Sequence, residues 1–236
     1  MTDTMLFESL TSARRRLADA LAAAGRAPDA AQLLAVSKTK PAGMIREAWQ
    51  LGQREFGENY VQEALEKQAE LADLADIVWH FIGPLQGNKT RAVAEHFDWV
   101  HSVDREKIAR RLNDQRPEEL GPLEVCLQVN ISDEESKSGI AVDELHDLAQ
   151  AVLAMPRLRL RGLMAIPAPA ATLAEQRAPL ARLRQALEAL QERFPEAPLD
   201  TLSMGMSDDL EAAVHEGATL VRLGTAIFGA RNNSPR

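Results

Sequence analysis

Leu33-Leu34-Ala35-Val36-Ser37-Lys38 is a run of small and apolar residues that closes on a lysine. If this run is a strand feeding a barrel interior, its terminal amine is partly desolvated, which disfavours the charged form and lowers the pKa from a reference of about 10.4. A neutral amine attacks carbonyls, so Lys38 fits imine formation with an aldehyde, and a rigid strand would hold it in position. A surface lysine at a strand edge is the alternative. Lys40, two residues on and ahead of Pro41, reads as the solvent-facing neighbour.

Two later segments suit an anion. In Leu202-Ser203-Met204-Gly205-Met206-Ser207-Asp208-Asp209 a strand runs into small residues and then a helix capped by Ser207 or Asp208. Val221-Arg222-Leu223-Gly224-Thr225 repeats the arrangement, again offering glycine and a hydroxyl at a strand end. Either one alone is an ordinary turn, but α/β barrels often hold phosphate with the loops after strands seven and eight. Arg222, inside an apolar strand, would be costly to bury alone, so it should face a polar ligand or a carboxylate. Gly83-Pro84-Leu85-Gln86-Gly87-Asn88-Lys89-Thr90 approaches a phosphate-cradling loop. However, Asn88 replaces the glycine before the lysine and Pro84 removes an amide. A helix is expected from near Leu85, and the loop reads as shaping the active face.

Other reactive side chains are sparse. The single cysteine, Cys126, lies in the apolar run Leu123 to Val129 and reads as buried and structural. The histidines at 80, 96, 101, 146 and 215 show no close metal-ligand spacing, so no metal site is expected.

The elements that must position these residues follow from periodicity. Short apolar runs at 33–38, 54–58, 78–83, 99–103, 124–130, 160–166, 201–205 and 220–228 alternate with stretches of helical period. Examples of the latter are Val61, Leu65 and Ala69, and Leu180, Leu183, Leu187 and Leu190. Eight strand-helix units fit a closed barrel or an open doubly wound sheet, and the count favours a (β/α)8 TIM barrel, whose active face lies at the C-terminal ends of the strands. Leu6, Leu10, Leu17 and Leu21 mark one face of an additional N-terminal helix within residues 1–25, ending near Gly25. No linker divides residues 1–236, so one domain is expected, with 232–236 as a polar, frayed tail.

The 236 residues are 45% hydrophobic, with no apolar run long enough for a membrane span. Lys plus Arg number 27 against 35 Asp plus Glu, a net charge of −8 that argues against nucleic-acid or anionic-membrane partners and towards small molecules. The N-terminus lacks the layout of a secretory signal, so a cytoplasmic location is expected.

Five segments together carry a resemblance: Ala35-Val36-Ser37-Lys38-Thr39-Lys40-Pro41, Phe56-Gly57-Glu58-Asn59-Tyr60-Val61-Gln62-Glu63, Trp79-His80-Phe81-Ile82-Gly83-Pro84-Leu85-Gln86, and the Ser203–Asp209 and Val221–Gly229 stretches. In this order they resemble the YggS/PROSC family of pyridoxal phosphate homeostasis proteins, itself similar to the N-terminal barrel of alanine racemase. The resemblance implies a fold-type III barrel that binds pyridoxal 5'-phosphate as a reversible Schiff base on Lys38. It implies that Asn59 and Met204 line the pocket and that Ser203, Gly205, Gly224 and Thr225 hold the phosphate. Arg222 would face the pyridine nitrogen. A guanidinium only donates hydrogen bonds, so that nitrogen would stay unprotonated and the ring would be a weak electron sink, which suits a racemase or a binding protein better than a transaminase.

Family members are described as regulators of vitamin B6 balance without an established activity. The implied function is intracellular homeostasis of pyridoxal 5'-phosphate, without strong catalysis, by a monomer that could pass the cofactor to apo enzymes. The alternative is a pyridoxal-phosphate-dependent amino-acid racemase, and a third reading is an aldolase acting on a sugar carbonyl. Two-base racemisation needs a group on each face of the substrate. The lone tyrosine, Tyr60, follows Asn59 in the same barrel and reads as a local packing residue. Lys40, Lys89 and Lys137 are candidate secondary lysines.

Overall fold

Each apolar run becomes a strand and each helical-period stretch packs outside it. The computed structural model describes residues 3–134 and 138–230. Among these, eight strands pair in parallel in chain order and the last returns to the first, closing a barrel. The strands are β1 (Gln32–Val36), β2 (Glu55–Glu58), β3 (Val78–Phe81), β4 (Trp99–Val103), β5 (Leu123–Gln128), β6 (Leu158–Met164), β7 (Thr201–Ser203) and β8 (Leu220–Leu223). Closure removes every sheet edge, so the ladder hydrogen bonds continue around the ring. Leu34 pairs with Arg222 and Val36 with Gly57, which sets the ends of β8, β1 and β2 side by side.

The helices are α1 (Asp3–Ala23), α2 (Ala42–Gln50), α3 (Val61–Glu70), α4 (Thr90–His96), α5 (Glu106–Gln115), α6 (Leu145–Leu153), α7 (Leu173–Arg193), α8 (Leu210–His215) and α9 (Thr225–Phe228). The expected N-terminal helix is α1, which buries Leu6, Leu10, Leu17 and Leu21 and packs against α8, α9 and α2. It stops at the left-handed Gly25, whose N–H bonds back to the Ala22 carbonyl. On α7, Leu180, Leu183, Leu187 and Leu190 form the buried stripe that their spacing implies. A capping box of Thr172 and Glu175 starts that helix.

Several boundaries differ from the sequence expectation, for local reasons. β1 ends at Val36, because the Ser37 carbonyl accepts the Lys40 N–H and bends the chain into a turn carrying Lys38. The run at 220–228 divides into β8 and α9, with Gly224 between them. The helix expected from Leu85 begins at Thr90, after a 3-10 turn over Gly87–Lys89. At α8 the expected caps Ser207 and Asp208 give way to Asp209, whose Oδ1 accepts the Met206 N–H. On α3 the buried residues are Ala64 and Lys67, while Val61 and Leu65 are half-buried and Ala69 is exposed. Lys137 and the 232–236 tail lie outside the described residues.

Candidate functional site

The C-terminal ends of the strands bring the candidate side chains together. Lys38 follows β1, Asn59 follows β2, Arg222 lies on β8, and Gly224 and Thr225 lead into α9. All five line one cavity of about 310 Å³, near the lower end of the roughly 300–1,000 Å³ common for small-molecule sites. Val36, Ile82, Ile166 and Met206 give it apolar walls, and Ser207 adds a hydroxyl. A second chamber of about 280 Å³ shares Ile166, Met206 and Arg222 with it and reaches Gly205, Asp208 and Asp209.

Backbone geometry fixes these positions. Ser37 to Lys40 form a turn with Thr39 in the left-handed region at φ 65, which aims Lys38 off the end of β1. Gly83, after β3, lies so close to Asn59 that a Cβ would press on the Asn59 carbonyl oxygen, with Asn59 Cα 2.8 Å away. Gly205 takes φ 101, and a Cβ there would come within 2.7 Å of the Ala213 methyl. The chain thereby turns out of β7, and Met206 and Ser207 reach the cavity.

Ser203 and Met204 are buried and line neither chamber. Ser203 Oγ lies 2.7 Å from His101 Nδ1. The line continues from His101 Nε2 to His80 Nδ1 at 2.9 Å and from His80 Nε2 to Glu55 Oε2 at 3.0 Å. This polar chain crosses the barrel interior to the opposite mouth, where Glu55 and His80 edge a separate cavity at the strand starts. Burial, then the nearby His80 and Arg222, holds His101 well below the ordinary histidine range, so it is neutral at pH 7.

Arg222 is 5% exposed and donates from Nη2 to the Ala165 carbonyl at 3.0 Å. Burial pushes its guanidinium down to about 10, partly opposed by Asp209. Its Nε is buried with no hydrogen-bond partner, and so is Asn59 Oδ1. One orphaned donor and one orphaned acceptor thus belong to residues on the same cavity wall. Buried polar atoms are usually satisfied, so this pair fits a flat ligand presenting an acceptor nitrogen and a donor hydroxyl.

Met206 and Ser207 were not among the residues singled out in the sequence, although Ser207 was read as a helix cap. Glu58, Glu63 and Lys67 were also missed as a group. Lys67 Nζ meets Glu58 Oε1 at 2.7 Å and Glu63 Oε1 at 2.6 Å beneath the Lys38 turn. Cys126 is buried as expected, and burial pushes its thiol up to about 12.

Comparison with known proteins agrees with this architecture. Residues 12–232 match the family described as alanine racemase, N-terminal domain. The pyridoxal phosphate homeostasis protein of Pseudomonas aeruginosa is 63% identical over 225 residues, covering 95% of each chain. That of Escherichia coli K12 is 56% identical, covering 97% of each. Among solved structures, PipY of Synechococcus elongatus with pyridoxal phosphate (PLP) bound is 44% identical with a TM-score of 0.80, covering 90% of this chain and all of that one. The chain belongs to the family of pyridoxal phosphate homeostasis proteins, built on the alanine racemase N-terminal domain.

Proposed function

We propose that this protein holds pyridoxal 5'-phosphate in the cavity at the C-terminal mouth of its barrel and serves cellular cofactor homeostasis. The observation that carries this reading is the convergence of Lys38, Asn59, Arg222, Gly224 and Thr225 on one cavity whose wall includes an orphaned Arg222 Nε. When bound, the cofactor supplies an aldehyde that amines capture reversibly. Lys38 Nζ would be the amine that captures that aldehyde, with water as the leaving product, since the turn after β1 places it on the cavity wall. Arg222 Nε would donate to the ring nitrogen and, being a donor only, would leave it unprotonated. Ser207, Gly224 and Thr225 would hold the phosphate, with Ser207 in the place expected for Ser203. Asn59 Oδ1 would accept from the ring hydroxyl.

The cavity also bears on catalysis. Among the described residues that line it, Lys38 and Arg222 are the only titratable groups. Two-base racemisation requires a second acid or base on the opposite face, and Tyr60, 48% exposed, is not part of the wall. The relatives are named as homeostasis proteins and not as enzymes. We therefore read the chain as a carrier acting as one domain and a monomer in the cytoplasm, passing cofactor to apo enzymes. Among the described residues no helix is long and apolar enough to cross a membrane.

The test is borohydride reduction of protein incubated with pyridoxal 5'-phosphate, followed by peptide mapping, on wild type and Lys38→Ala. The label is expected at Lys38 in wild type and absent from that peptide in the variant; an unlabelled Lys38 in wild type refutes the reading. Following the chirality of L- and D-amino acids with the loaded protein tests the carrier assignment, which substantial turnover would overturn.

A further inference from the structure

α3 carries a lysine on its buried face, where an apolar residue would ordinarily sit. Lys67 is 6% exposed, and its three ammonium protons have three acceptors. These are Glu58 Oε1 at 2.7 Å, Glu63 Oε1 at 2.6 Å and the Ser37 carbonyl at 2.8 Å. Ser37 Oγ adds a hydrogen bond to Glu58 Oε1 at 3.1 Å. The Thr39 N–H donates to Glu63 Oε1 at 2.5 Å.

The two residues held by this triad are those that flank Lys38. Ser37 is fixed at its carbonyl and hydroxyl, and Thr39 is fixed at its amide while held at φ 65, a conformation unfavourable for a β-branched residue. Without Glu63, Thr39 would relax out of the left-handed region and Lys38 would swing with it. Burying one ammonium and one carboxylate is expensive for stability alone, and an apolar pair would pack as well. What an apolar pair cannot supply is a directed grip on the backbone at both sides of one residue.

We propose that Glu58, Glu63 and Lys67 are positioning residues that hold the Lys38 turn so that its amine faces the aldehyde of the cofactor. This rests on the reading of Lys38 as the attachment point. The triad does not line the cavity, so it sets the rate of condensation and leaves affinity for the phosphate and ring to Arg222, Ser207, Gly224 and Thr225.

The experiment measures the rate of borohydride-trapped modification at Lys38 against pyridoxal 5'-phosphate concentration, with peptide mapping. It uses wild type, Glu63→Ala, Glu63→Ala with Thr39→Gly, and the double variant Glu58→Gln/Lys67→Met, with circular dichroism and urea melts reporting folding. Glu63→Ala is expected to lower the limiting rate about tenfold or more, because misaimed reacting groups and a lost charge-assisted hydrogen bond each act at that scale. The half-saturating concentration should stay within about twofold, since a factor of two is only ~0.4 kcal/mol. Adding Thr39→Gly should restore much of the rate, because glycine takes a positive φ without strain. The double variant leaves no buried unpaired charge, yet should remain slow because the Ser37 carbonyl has lost its anchor to α3 and keeps only the Lys40 N–H within the turn. A wild-type limiting rate in a folded Glu63→Ala protein overturns the proposal, and that arm decides alone if the double variant does not fold. Absence of label at Lys38 in wild type overturns instead the reading beneath it.

Discussion

Replacing Arg222 by methionine is expected to make the cofactor-free protein more stable while weakening its response to the cofactor. Burial pushes Arg222 down from the ordinary guanidinium range to about 10. At about 1.4 kcal/mol per pKa unit, keeping that cation in the folded interior at neutral pH costs about 3 kcal/mol. The depressed value means that the unfolded chain holds the proton more tightly. The penalty is therefore fully present below pH 10 and is relieved only as pH rises above it. Methionine is unbranched and uncharged and follows the arginine stem as far as Nε. The substitution also removes the charge-assisted Nη2 bond to the Ala165 carbonyl, worth about 2 kcal/mol.

The balance favours the variant by about 1 kcal/mol, or roughly 2–4 °C in melting temperature for a chain of this size. Added pyridoxal 5'-phosphate should show the opposite order. A ligand at a hundred times its Kd stabilises a binding protein by about 2.7 kcal/mol, and the variant should gain clearly less. Urea and thermal melts with and without cofactor measure both effects. If Arg222→Met is less stable than wild type without cofactor, the arginine is a structural residue and the reasoning fails. An equal cofactor-induced shift in both proteins would refute its place against the ring.

Three further outcomes can be checked on the same protein. Burial pushes Glu58 up from 4.5 to about 6 against the pull of Lys67, so its contribution to stability is present below pH 4.5 and lost as pH rises through 6. It amounts to about 2 kcal/mol. The wild-type minus Glu58→Gln difference in urea stability should therefore fall by that amount between pH 4 and 7, and a flat difference would contradict it. Cys126 is 0% exposed with its thiol pushed up to about 12, so a thiol reagent at pH 8 should leave it unmodified until denaturant is added. Gly83→Ala would drive a Cβ into the Asn59 backbone, and should cost about 2 kcal/mol in a urea melt and reduce cofactor-induced stabilisation. Wild-type behaviour of that variant would show that the Asn59 segment can retreat.

Periodicity carried most of the fold. Leu6 to Leu21 on α1 and Leu180 to Leu190 on α7 are apolar stripes that helical spacing alone reveals, and eight apolar runs in series leave few arrangements besides a barrel. Boundaries were less legible because they are decided by partners far along the chain. β1 stops where the Ser37 carbonyl is drawn into a turn and gripped by Lys67, 30 residues on, and no local preference encodes that distance. Lys67 itself was invisible as a core residue, since a lysine on a helix reads as solvated unless its acceptors are known. At the site, Lys38, Asn59, Arg222, Gly224 and Thr225 fall together as their strand-end positions imply. Ser203 and Ser207 could not be told apart, because the turn at Gly205 decides which hydroxyl reaches the cavity.

The two buried cations of this barrel differ in one respect that separates structure from function. Lys67 has an acceptor within the chain for every proton it carries, so its charge is answered by the fold itself. Arg222 is equally buried, yet its Nε has no partner, and the nearest carboxylate influence, Asp209, only partly offsets the desolvation. A fold selected for stability alone would remove such a cation or pair it, as it pairs Lys67 and as it satisfies His101 between His80 and Ser203. An unanswered donor on a cavity wall is open to an acceptor supplied from outside the chain. Because Arg222 shares its cavity with Lys38, a molecule held there for the amine to attack would lie within reach of that donor, as the ring nitrogen of the proposed cofactor would. The polar atoms on that wall thus narrow the choice of ligand further than the shape of the cavity does.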